Sequence, residues 1–404
     1  MSNRNVKEKT YLGMTYGAAF VSLAVLIMII GYVFINGYKL LNFDLITHNY
    51  TAVTYISDLD EGFVLNNYET ERYFDEDTYY STKWGLALTD DTDLQGKNVV
   101  VVTYVHPDSP LNNLHNKGVG QSIIELKIDY EIIRIAFDGA ASALSSRGAS
   151  LMITTLDDND DIRELEFATT GGGIRGSIIT TLYLIVLTLI FALPIGVGAA
   201  IYLNEYAKNN KFNRMLRNFI ETLTGVPSII YGLMGLAIFV PLTIGLTKAT
   251  TGNIISGAMT LAVILLPVVI RTTEESLKVV PDDYRYASLA LGASKTQTVF
   301  KVILPNAFSG ILTATLLAIG RIIGESAALV FAIGTSIKDD VYLTDRSTSL
   351  AVHIWSMMTD EPANFELSST IALIILMIVL VLNISIKLIS KRFMRKYGVL
   401  TWQQ

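Results

Sequence analysis

The chain has 404 residues, of which 51% are hydrophobic and 17% are charged, and its formal net charge is −6. Roughly a quarter of the residues of a typical soluble protein are charged, so this composition argues against a purely soluble protein, and the negative charge gives no reason to expect a nucleic-acid partner. The absence of cysteine excludes disulfides, thiolate catalysis and metal sites built on Cys. The four histidines show no metal-ligand spacing, so no metal site is predicted.

Long apolar blocks dominate the sequence. Five of them contain no charged residue: Tyr16–Ile35, Gly176–Leu203, Thr222–Thr247, Ala249–Ile270 and Leu367–Ile386. A sixth, Val302–Ile337, contains Arg321 and Glu325. Because about 20 apolar residues are needed to cross a bilayer, we predict six transmembrane helices. The first block is longer than the roughly 7–15 residues of a signal-peptide core and no cleavage site follows it, which favours an uncleaved anchor.

Charge is distributed unevenly along the chain. Residues 42–170 carry 23 Asp and Glu against 8 Lys and Arg, a net charge of −15, whereas the rest of the chain has a net charge of +9. The basic residues lie in short segments beside the apolar blocks, and such segments mark the cytoplasmic side of a membrane. We therefore expect a multi-pass cell-membrane protein with 1–41 as a cytoplasmic tail and first helix, 42–170 as an extracytoplasmic domain, and 171–404 as a membrane core that ends in the cytoplasm.

The segment 42–170 has the pattern of a small folded α+β domain. The run "GKNVVVVTYV" (96–105) is rich in β-forming residues, and "IELKIDYEIIRI" (124–135) alternates apolar and polar residues as a half-buried strand does. We predict a third strand at "ASLMITTL" (149–156). The acidic run "LDDNDDIRE" (156–164) does not have the spacing of an EF-hand loop, so we interpret it as a solvated turn.

An unusual loop, "YRYASLALGASKTQTVFKVILPNAF" (284–308), links the fourth and fifth predicted spans. Its length predicts two short helices joined at Gly292, with an apolar patch formed by Ala287, Ala290 and Leu291 beside the turn. Such a patch suits a groove on a partner protein. A helix lying on the lipid surface is an equally good interpretation of the pattern alone.

The same loop contains "GASKT" (292–296), which looks like part of a phosphate-binding loop. That motif needs a glycine directly before the lysine, where the backbone surrounds a phosphate group. Ser294 occupies this position. No other nucleotide-binding loop is found, so we predict that this chain is not an enzyme, has no catalytic residue and binds no cofactor.

Arg321 and Glu325 lie inside the apolar block Val302–Ile337, the fifth predicted span in chain order. A charge at the bilayer centre costs on the order of 2.5–3.5 kcal/mol by insertion scales, and such residues face a bundle interior or a polar path. A spacing of four predicts that the two side chains share one helix face and neutralise each other, while Gly320 and Gly324 allow a neighbouring helix to approach. The pair is either an anion path, because the arginine fork matches phosphate oxygens, or an ion pair that only locks helices together. Arg271 is a second candidate for the path, and anchoring in lipid headgroups is its alternative.

The spacing within the 284–308 loop resembles the E-A-A-x-x-x-G-x(9)-I-x-L-P signature of ABC-transporter permeases. Tyr286, Ser288 and Val302 depart from the usual Glu, Ala and Ile. The matching positions are Tyr286, Ala287, Ser288, Gly292, Val302, Leu304 and Pro305. Together with "PIGVGAAIYLNEYA", "LTGVPSIIYGL", "LPVVIRTTEESLKVVP" and "GRIIGESAALVFAIG", this loop makes the region 171–395 similar to the PstA branch of phosphate permeases.

The resemblance implies an all-α polytopic fold of the ABC-importer permease type, into which the extracytoplasmic α+β domain is inserted. It implies that loop 285–304 docks on a dimer of ATP-binding subunits, which bind ATP-Mg and hydrolyse ATP. It further implies a second homologous phosphate permease subunit, an extracytoplasmic phosphate-binding protein, and a role for Arg321 and Glu325 in phosphate translocation.

Other functions remain open from the residues alone. A sulfate or molybdate permease would have the same architecture, and a membrane-anchored receptor or adhesin would act through the outer domain. The receptor needs neither intramembrane charges nor a docking loop. An intramembrane hydrolase has no paired Asp, Ser/His or HExxH arrangement to support it. The segment "TSLAVHIWSMM" (348–358) is either a contact for the delivering protein or an interfacial helix.

Overall fold

The computed structural model of the chain describes residues 3–59, 63, 65–117, 123–359 and 363–397. These residues form two compact units. The first, which we call the sheet unit, is Leu40–Arg175; the second, the membrane unit, combines Met1–Lys39 with Gly176–Gln404. The predicted combination of a helical membrane protein with an inserted, sheet-containing domain is confirmed.

The sheet unit follows the first helix, α1 (Asn3–Gly37), and is built on one antiparallel sheet. Its helices are α2 (Phe43–Thr47) and α3 (Ala149–Asp157). The strands found among its described residues are β1 (Thr54–Leu59), β2 (Thr78–Ser81), β3 (Leu86–Thr92), β4 (Asn98–Val105), β5 (Leu114–Asn116), β6 (Ile123–Ile124), β7 (Glu131–Ala136), β8 (Ala143–Leu144) and β9 (Glu164–Ala168). Their order in the sheet is β2-β3-β4-β7-β9-β1-β5-β6, with β8 beside β7.

The prediction of a strand at 149–156 was wrong, because this segment is helix α3. Its apolar residues Met152 and Leu156 are buried in the core of the sheet unit. The buried Trp84 donates its indole N–H to the carbonyl of Leu156 at 3.0 Å. Packing against the sheet therefore outweighs the β-forming composition of this run.

The prediction of one continuous strand over 124–135 was also wrong. The backbone turns at Asp129, whose φ of 68° is in the left-handed region, and β7 begins only at Glu131. Ile128 is consequently exposed, although the alternating pattern had suggested that it was buried. By contrast, β4 occupies most of the predicted β-rich run 96–105.

The described residues of the membrane unit form helices joined by loops, with no strand among them. Its helices after α1 are α4 (Arg175–Ile201), α5 (Lys211–Leu223), α6 (Ser228–Met234), α7 (Val240–Leu246), α8 (Ile254–Val279), α9 (Asp282–Ala290), α10 (Lys295–Thr298), α11 (Leu304–Gly324), α12 (Ala327–Ala332), α13 (Leu350–Thr359) and α14 (Phe365–Tyr397). Three π-helical segments continue or join them: Tyr202–Tyr206, Gly235–Phe239 and Val299–Ile303.

The prediction of six spans is confirmed. Six helical stretches of the described chain are long and apolar enough to cross a membrane: Thr10–Gly37, Arg175–Tyr206, Ser228–Leu246, Ile254–Val279, Lys295–Gly324 and Phe365–Arg392. The second, third and fifth each contain a π-helical segment. The chain is therefore a multi-pass membrane protein.

Helix α8 is the centre of the membrane unit, and two thirds of its most apolar stretch is buried. Helix α11 packs along it, and its buried alanines Ala307, Ala314 and Ala318 let the two helices approach closely. On the other side of the unit, a Cβ at Gly232 of α6 would lie 2.8 Å from the Cα of Ala328 in α12. Small residues thus set the helix contacts that hold α6, α8, α11 and α12 together.

A buried polar cluster joins the beginning of α4 to α13. The Ser177 hydroxyl is 2.9 Å from His353 Nδ1, and the amide of Leu350 donates to the Thr181 hydroxyl at 3.0 Å. Burial lowers the pKa of His353 to about 4, so the imidazole is neutral at physiological pH. The cluster positions α13 without introducing a buried charge.

Candidate functional site

The fifth span is broken at the position of the two predicted site charges. Helix α11 ends at Gly324, and Glu325 has an extended backbone with φ −80° and ψ 117°. The prediction that Arg321 and Glu325 share one helix face and pair was therefore wrong. Glu325 Oε1 instead accepts a hydrogen bond from the amide of Ala328 at 3.3 Å, which stabilises the start of α12.

Arg321 belongs to an exposed stripe along α11. We call this stripe the open face of α11; it consists of Ser309, Thr313, Leu317, Gly320, Arg321 and Gly324. Among the described residues, no atom beyond the helix's own adjacent backbone lies within 4 Å of a Cβ built on Gly320 or Gly324. Within this chain, the predicted approach of a neighbouring helix to these glycines is thus not observed. The open face is instead small, hydroxyl-bearing and positively charged.

Such a face does not suit contact with lipid. A bilayer offers no partner for an arginine, and the cost of exposing one to lipid near the bilayer centre is on the order of 2.5–3.5 kcal/mol or more. Intramembrane charges face other protein or a water-filled cavity. The open face of α11 therefore needs a cover that the described part of this chain does not supply.

Tyr231 was not among the predicted site residues. Its ring is buried in α6, and its hydroxyl donates to the carbonyl of Leu223 at 2.8 Å. The only sequence signal was its position in the proline-containing motif "LTGVPSIIYGL". Tyr231 thus ties the beginning of the third span to the end of α5.

Arg271 lies apart from Arg321, in an ion network on α8. Its side chain is paired with Glu275 at 3.2 Å and with Glu221 of α5 at 3.9 Å. These groups line a cavity of about 270 Å³ together with Arg217. Gly310 of α11 contacts Ser276 of α8, which fixes the relative positions of the two helices. At a rise of about 1.5 Å per residue, Arg321 lies roughly 9 Å further from this contact along the helix axis than Arg271 does. The structure therefore does not bring the two arginines into one site.

The 284–308 loop has the predicted form of two short helices joined at Gly292. The φ of Gly292 is +83°, a conformation that favours glycine, and the amide of Ala293 donates to the carbonyl of Ser288 at 3.2 Å, which closes helix α9. Ser294 then caps α10 through a reciprocal hydrogen-bond pair with Gln297. This capping explains why "GASKT" forms a helix start and not a phosphate loop.

The apolar patch of this loop is uncovered in the chain. Leu291 is 90% exposed and Tyr286 is 67% exposed; Ala287 and Ala290 are exposed as well. The Ser288 hydroxyl, where the signature has alanine, lies 2.9 Å from the Thr298 hydroxyl and so ties α9 to α10. The departure at Ser288 thus strengthens the turn inside the loop.

The last part of the signature lies within a continuous span. Pro305 follows the π-helical segment Val299–Ile303, in which the amide of Leu304 donates five residues back to the carbonyl of Val299. Val302 and Leu304 are half-buried, and Asn306 donates to the carbonyl of Val302 at 2.7 Å. The second half of loop 284–308 and Arg321 are consequently connected by one helical element, Lys295–Gly324.

A second connection runs from the loop to α4 through a buried ion pair that sequence reasoning missed. Arg285 of α9 donates to Glu205 at 2.7 Å and to the carbonyl of Leu277 at 3.0 Å. The hydrogen bond to Glu205 raises the pKa of Arg285 above its usual value. The side chains are only 17% and 7% exposed. The two residues are 80 positions apart, so no local pattern relates them.

Replacing Glu205 with Gln is expected to lower the free energy of unfolding by about 3–5 kcal/mol, because the Arg285 charge would remain partly buried without its counter-ion. Thermal unfolding of the detergent-solubilised protein measures this effect. Glu275→Gln is the matched control, since it removes the same charge from a pair whose side chains are 64% and 63% exposed and costs about 0–1 kcal/mol. Equal shifts of the two variants would contradict a structural role for the Glu205–Arg285 pair.

Comparison with known proteins agrees with this architecture. Over 202 residues, 47% of this chain and 67% of the relative, the sequence is 39% identical to the probable ABC transporter permease protein YqgI of Bacillus subtilis. It is 36% identical over 225 residues to the phosphate transport system permease protein PstA of Yersinia pestis, covering 55% of this chain and 73% of the relative. A PstA homolog of Mycoplasma pneumoniae is 33% identical over 45% of this chain, and the match spans only 28% of that longer protein.

Among solved structures, an inward-facing MetNI methionine ABC transporter is similar with a TM-score of 0.44 and 21% identity, over 55% of this chain and 95% of that chain. Residues 192–397, about half of the sequence, match the family described as binding-protein-dependent transport system inner membrane component. The chain therefore belongs to this family of ABC-importer permeases, in its PstA branch.

Proposed function

We propose that this chain is a transmembrane permease subunit of an ATP-driven importer of inorganic phosphate. The observation that carries the proposal is Arg321, an arginine on the exposed, small-residue face of a membrane-spanning helix. The names of the relatives from Yersinia pestis and Mycoplasma pneumoniae, both phosphate transport system permeases, support phosphate over sulfate or molybdate.

A second, homologous permease subunit covers the open face of α11. The translocation path lies between the two subunits, so that Arg321 faces the path and not lipid. Its planar guanidinium offers two parallel hydrogen bonds to phosphate oxygens. The hydroxyl of Ser309 on the same face supplies a further donor.

The side of the membrane on which each end of a span lies is assigned from the distribution of charge. Both termini and the loop 285–304 lie in the cytoplasm, where the basic segments are found. The sheet unit, which contains most of the acidic residues, lies outside the cell. An extracytoplasmic phosphate-binding protein delivers phosphate on this side. Trp355 and Met358, the exposed apolar residues of α13, are candidates for its contact.

ATP-binding subunits drive the cycle from the cytoplasm. A dimer of these subunits binds ATP-Mg and holds the exposed apolar patch of loop 285–304 in a groove. Displacement of the loop is transmitted to Arg321 along the continuous span Lys295–Gly324. It is transmitted to α4 through the pair of Arg285 with Glu205. This route couples ATP hydrolysis to a change in the path.

Uptake of radiolabelled phosphate tests the proposal. Cells that lack their own high-affinity phosphate importer are supplied with this chain and its partner subunits. Phosphate uptake at micromolar concentration should appear, and excess unlabelled phosphate should suppress it while excess sulfate or molybdate should not. Uptake of labelled sulfate in place of phosphate would show that the substrate assignment is wrong, and a lack of any oxyanion uptake would count against a transport function.

A further inference from the structure

A second group of cationic and hydroxyl side chains surrounds a pocket at the end of the membrane unit opposite loop 285–304. The pocket has a volume of about 200 Å³ and lies between the loop that follows α7 and the loop that follows α12. It is lined by the hydroxyls of Thr251, Ser336 and Thr344 and by three charged side chains, Lys338, Asp345 and Arg346. None of these residues belongs to the site around Arg321.

The charged groups are held by specific contacts. Arg346 Nε donates to the Thr251 hydroxyl at 2.9 Å, and Lys338 Nζ lies 3.4 Å from Asp345 Oδ2. Because Nε is the only atom of the guanidinium engaged by the described residues, both Nη groups remain available as donors. The charged lining residues have a net charge of +1, since two cations face one carboxylate.

The loop that carries these side chains is anchored on both sides of the pocket. A Cβ on Gly176 of α4 would collide with the carbonyl oxygen of Lys338, so only glycine permits this approach. Ser347, the residue after Arg346, is buried, and its hydroxyl lies 2.5 Å from that of Thr180 in α4. The pocket is therefore preformed by packing against α4, which lowers the ordering cost of binding a ligand.

We propose that this pocket is an entry site for inorganic phosphate on the extracytoplasmic side of the path. The role of this pocket in transport rests on the proposed function, whereas its binding of phosphate is argued from the lining residues alone. Arginine, lysine and hydroxyl donors together match the oxygens of a tetrahedral oxyanion.

Asp345 makes the pocket selective for an oxyanion that carries a proton. A carboxylate only accepts hydrogen bonds, so it repels an unprotonated anion and binds one that offers an O–H. Inorganic phosphate retains at least one proton near neutral pH, whereas sulfate retains none. The phosphodiester of a lipid headgroup also lacks a proton, and for that reason the pocket favours free phosphate over phospholipid.

Protection of an introduced cysteine measures binding directly, since the chain has no natural cysteine. Ser336→Cys places a thiol in the pocket, and Lys248→Cys provides a control on the exposed loop after α7 that does not line it. The whole transporter, purified in detergent, is treated with a maleimide, and modification of this chain is followed by mass. Inorganic phosphate at millimolar concentration should slow labelling of Ser336→Cys at least fivefold and leave Lys248→Cys unchanged, while sulfate should have no effect.

Two further variants test the assigned roles. Adding Arg346→Gln should abolish the protection by phosphate, whereas adding Lys248→Gln should not. Adding Asp345→Asn should allow sulfate to protect. An absence of protection by phosphate, or equal protection by phosphate and sulfate in the unsubstituted pocket, overturns the proposal. Protection seen only in nanodiscs that contain phosphatidylglycerol would identify a lipid site and overturn it as well.

Transport assays separate this inference from the proposed function. If the unsubstituted transporter takes up phosphate, the Lys338→Gln, Arg346→Gln double variant should lower the uptake rate about tenfold, with Lys248→Gln as the control. Unchanged uptake in the double variant overturns the entry role. A transporter that fails to take up phosphate although phosphate protects Ser336→Cys contradicts the proposed function and leaves the binding site supported.

Discussion

Replacing Arg321 with Gln is expected to lower phosphate uptake about 10- to 100-fold without changing the amount of the chain in the membrane. A hydrogen bond to a charged group contributes about 1.5–3 kcal/mol, and about 1.4 kcal/mol corresponds to a factor of ten. Because Arg321 is exposed on α11, its replacement leaves no buried cavity and removes no ion pair or side-chain hydrogen bond among the described residues. Uptake of labelled phosphate, normalised to the chain detected in membranes, measures the effect.

Arg321→Lys is the matched comparison for this prediction. Lysine retains the charge but not the planar fork, so uptake should fall to a value between those of the wild type and Arg321→Gln. Equal uptake by the wild type and Arg321→Gln would exclude a role of Arg321 in the path.

The charge-swapped variant, Arg321→Glu with Glu325→Arg, distinguishes a path from a structural pair. Glu325 lies beyond the end of α11 and accepts a hydrogen bond from Ala328. The swap therefore replaces the cation that we propose binds phosphate with a carboxylate, and it also removes the contact at the start of α12. Uptake should be lost, and restored uptake would indicate that the two side chains act only as a pair.

Replacing Leu291 with Glu is expected to release the ATP-binding subunit, with at least a tenfold loss in co-purification. Burying a leucine side chain contributes about 1.5–3 kcal/mol, and an unpaired carboxylate in the same groove adds a desolvation cost. Leu291 is 90% exposed in this chain, so the substitution does not disturb its own fold. Quantitative co-purification of the ATP-binding subunit with this chain measures the loss.

Gln297→Glu is the matched control for Leu291→Glu. It adds the same charge to the same loop, and glutamate at this position retains the capping box with Ser294. Co-purification should be nearly normal. If both variants release the partner equally, charge and not the apolar patch governs docking. Gly292→Val should also weaken docking, because a β-branched residue is strained at φ +83° and would displace Leu291.

The six spans and the two-helix form of loop 284–308 follow from local sequence. A bilayer requires an apolar helix of nearly constant length, so hydropathy alone reveals the six spans. The turn at Gly292 depends on a backbone conformation that glycine favours. Both features are properties of short segments, and neither depends on the rest of the chain.

The predictions that were wrong depended on packing between distant segments. The run 149–156 has the composition of a strand, but its side chains fill the core of the sheet unit as a helix. The apolar block around Glu325 suits a continuous helix, yet the chain breaks there and α12 packs against Gly232 of α6. A local pattern cannot show this contact, because nearly 100 residues separate Gly232 from Ala328.

The same dependence on contacts between distant segments limits how much of the candidate site could be predicted from the sequence. Hydropathy singled out Arg321 and Glu325 as costly charges, but their separation required the end of α11 to be known. The pair of Glu205 with Arg285 and the pocket that joins Thr251 to Arg346 bring together residues 80 and 95 positions apart. Periodicity and composition indicate which side of a segment is buried, whereas the residues that this side contacts depend on how all the helices pack.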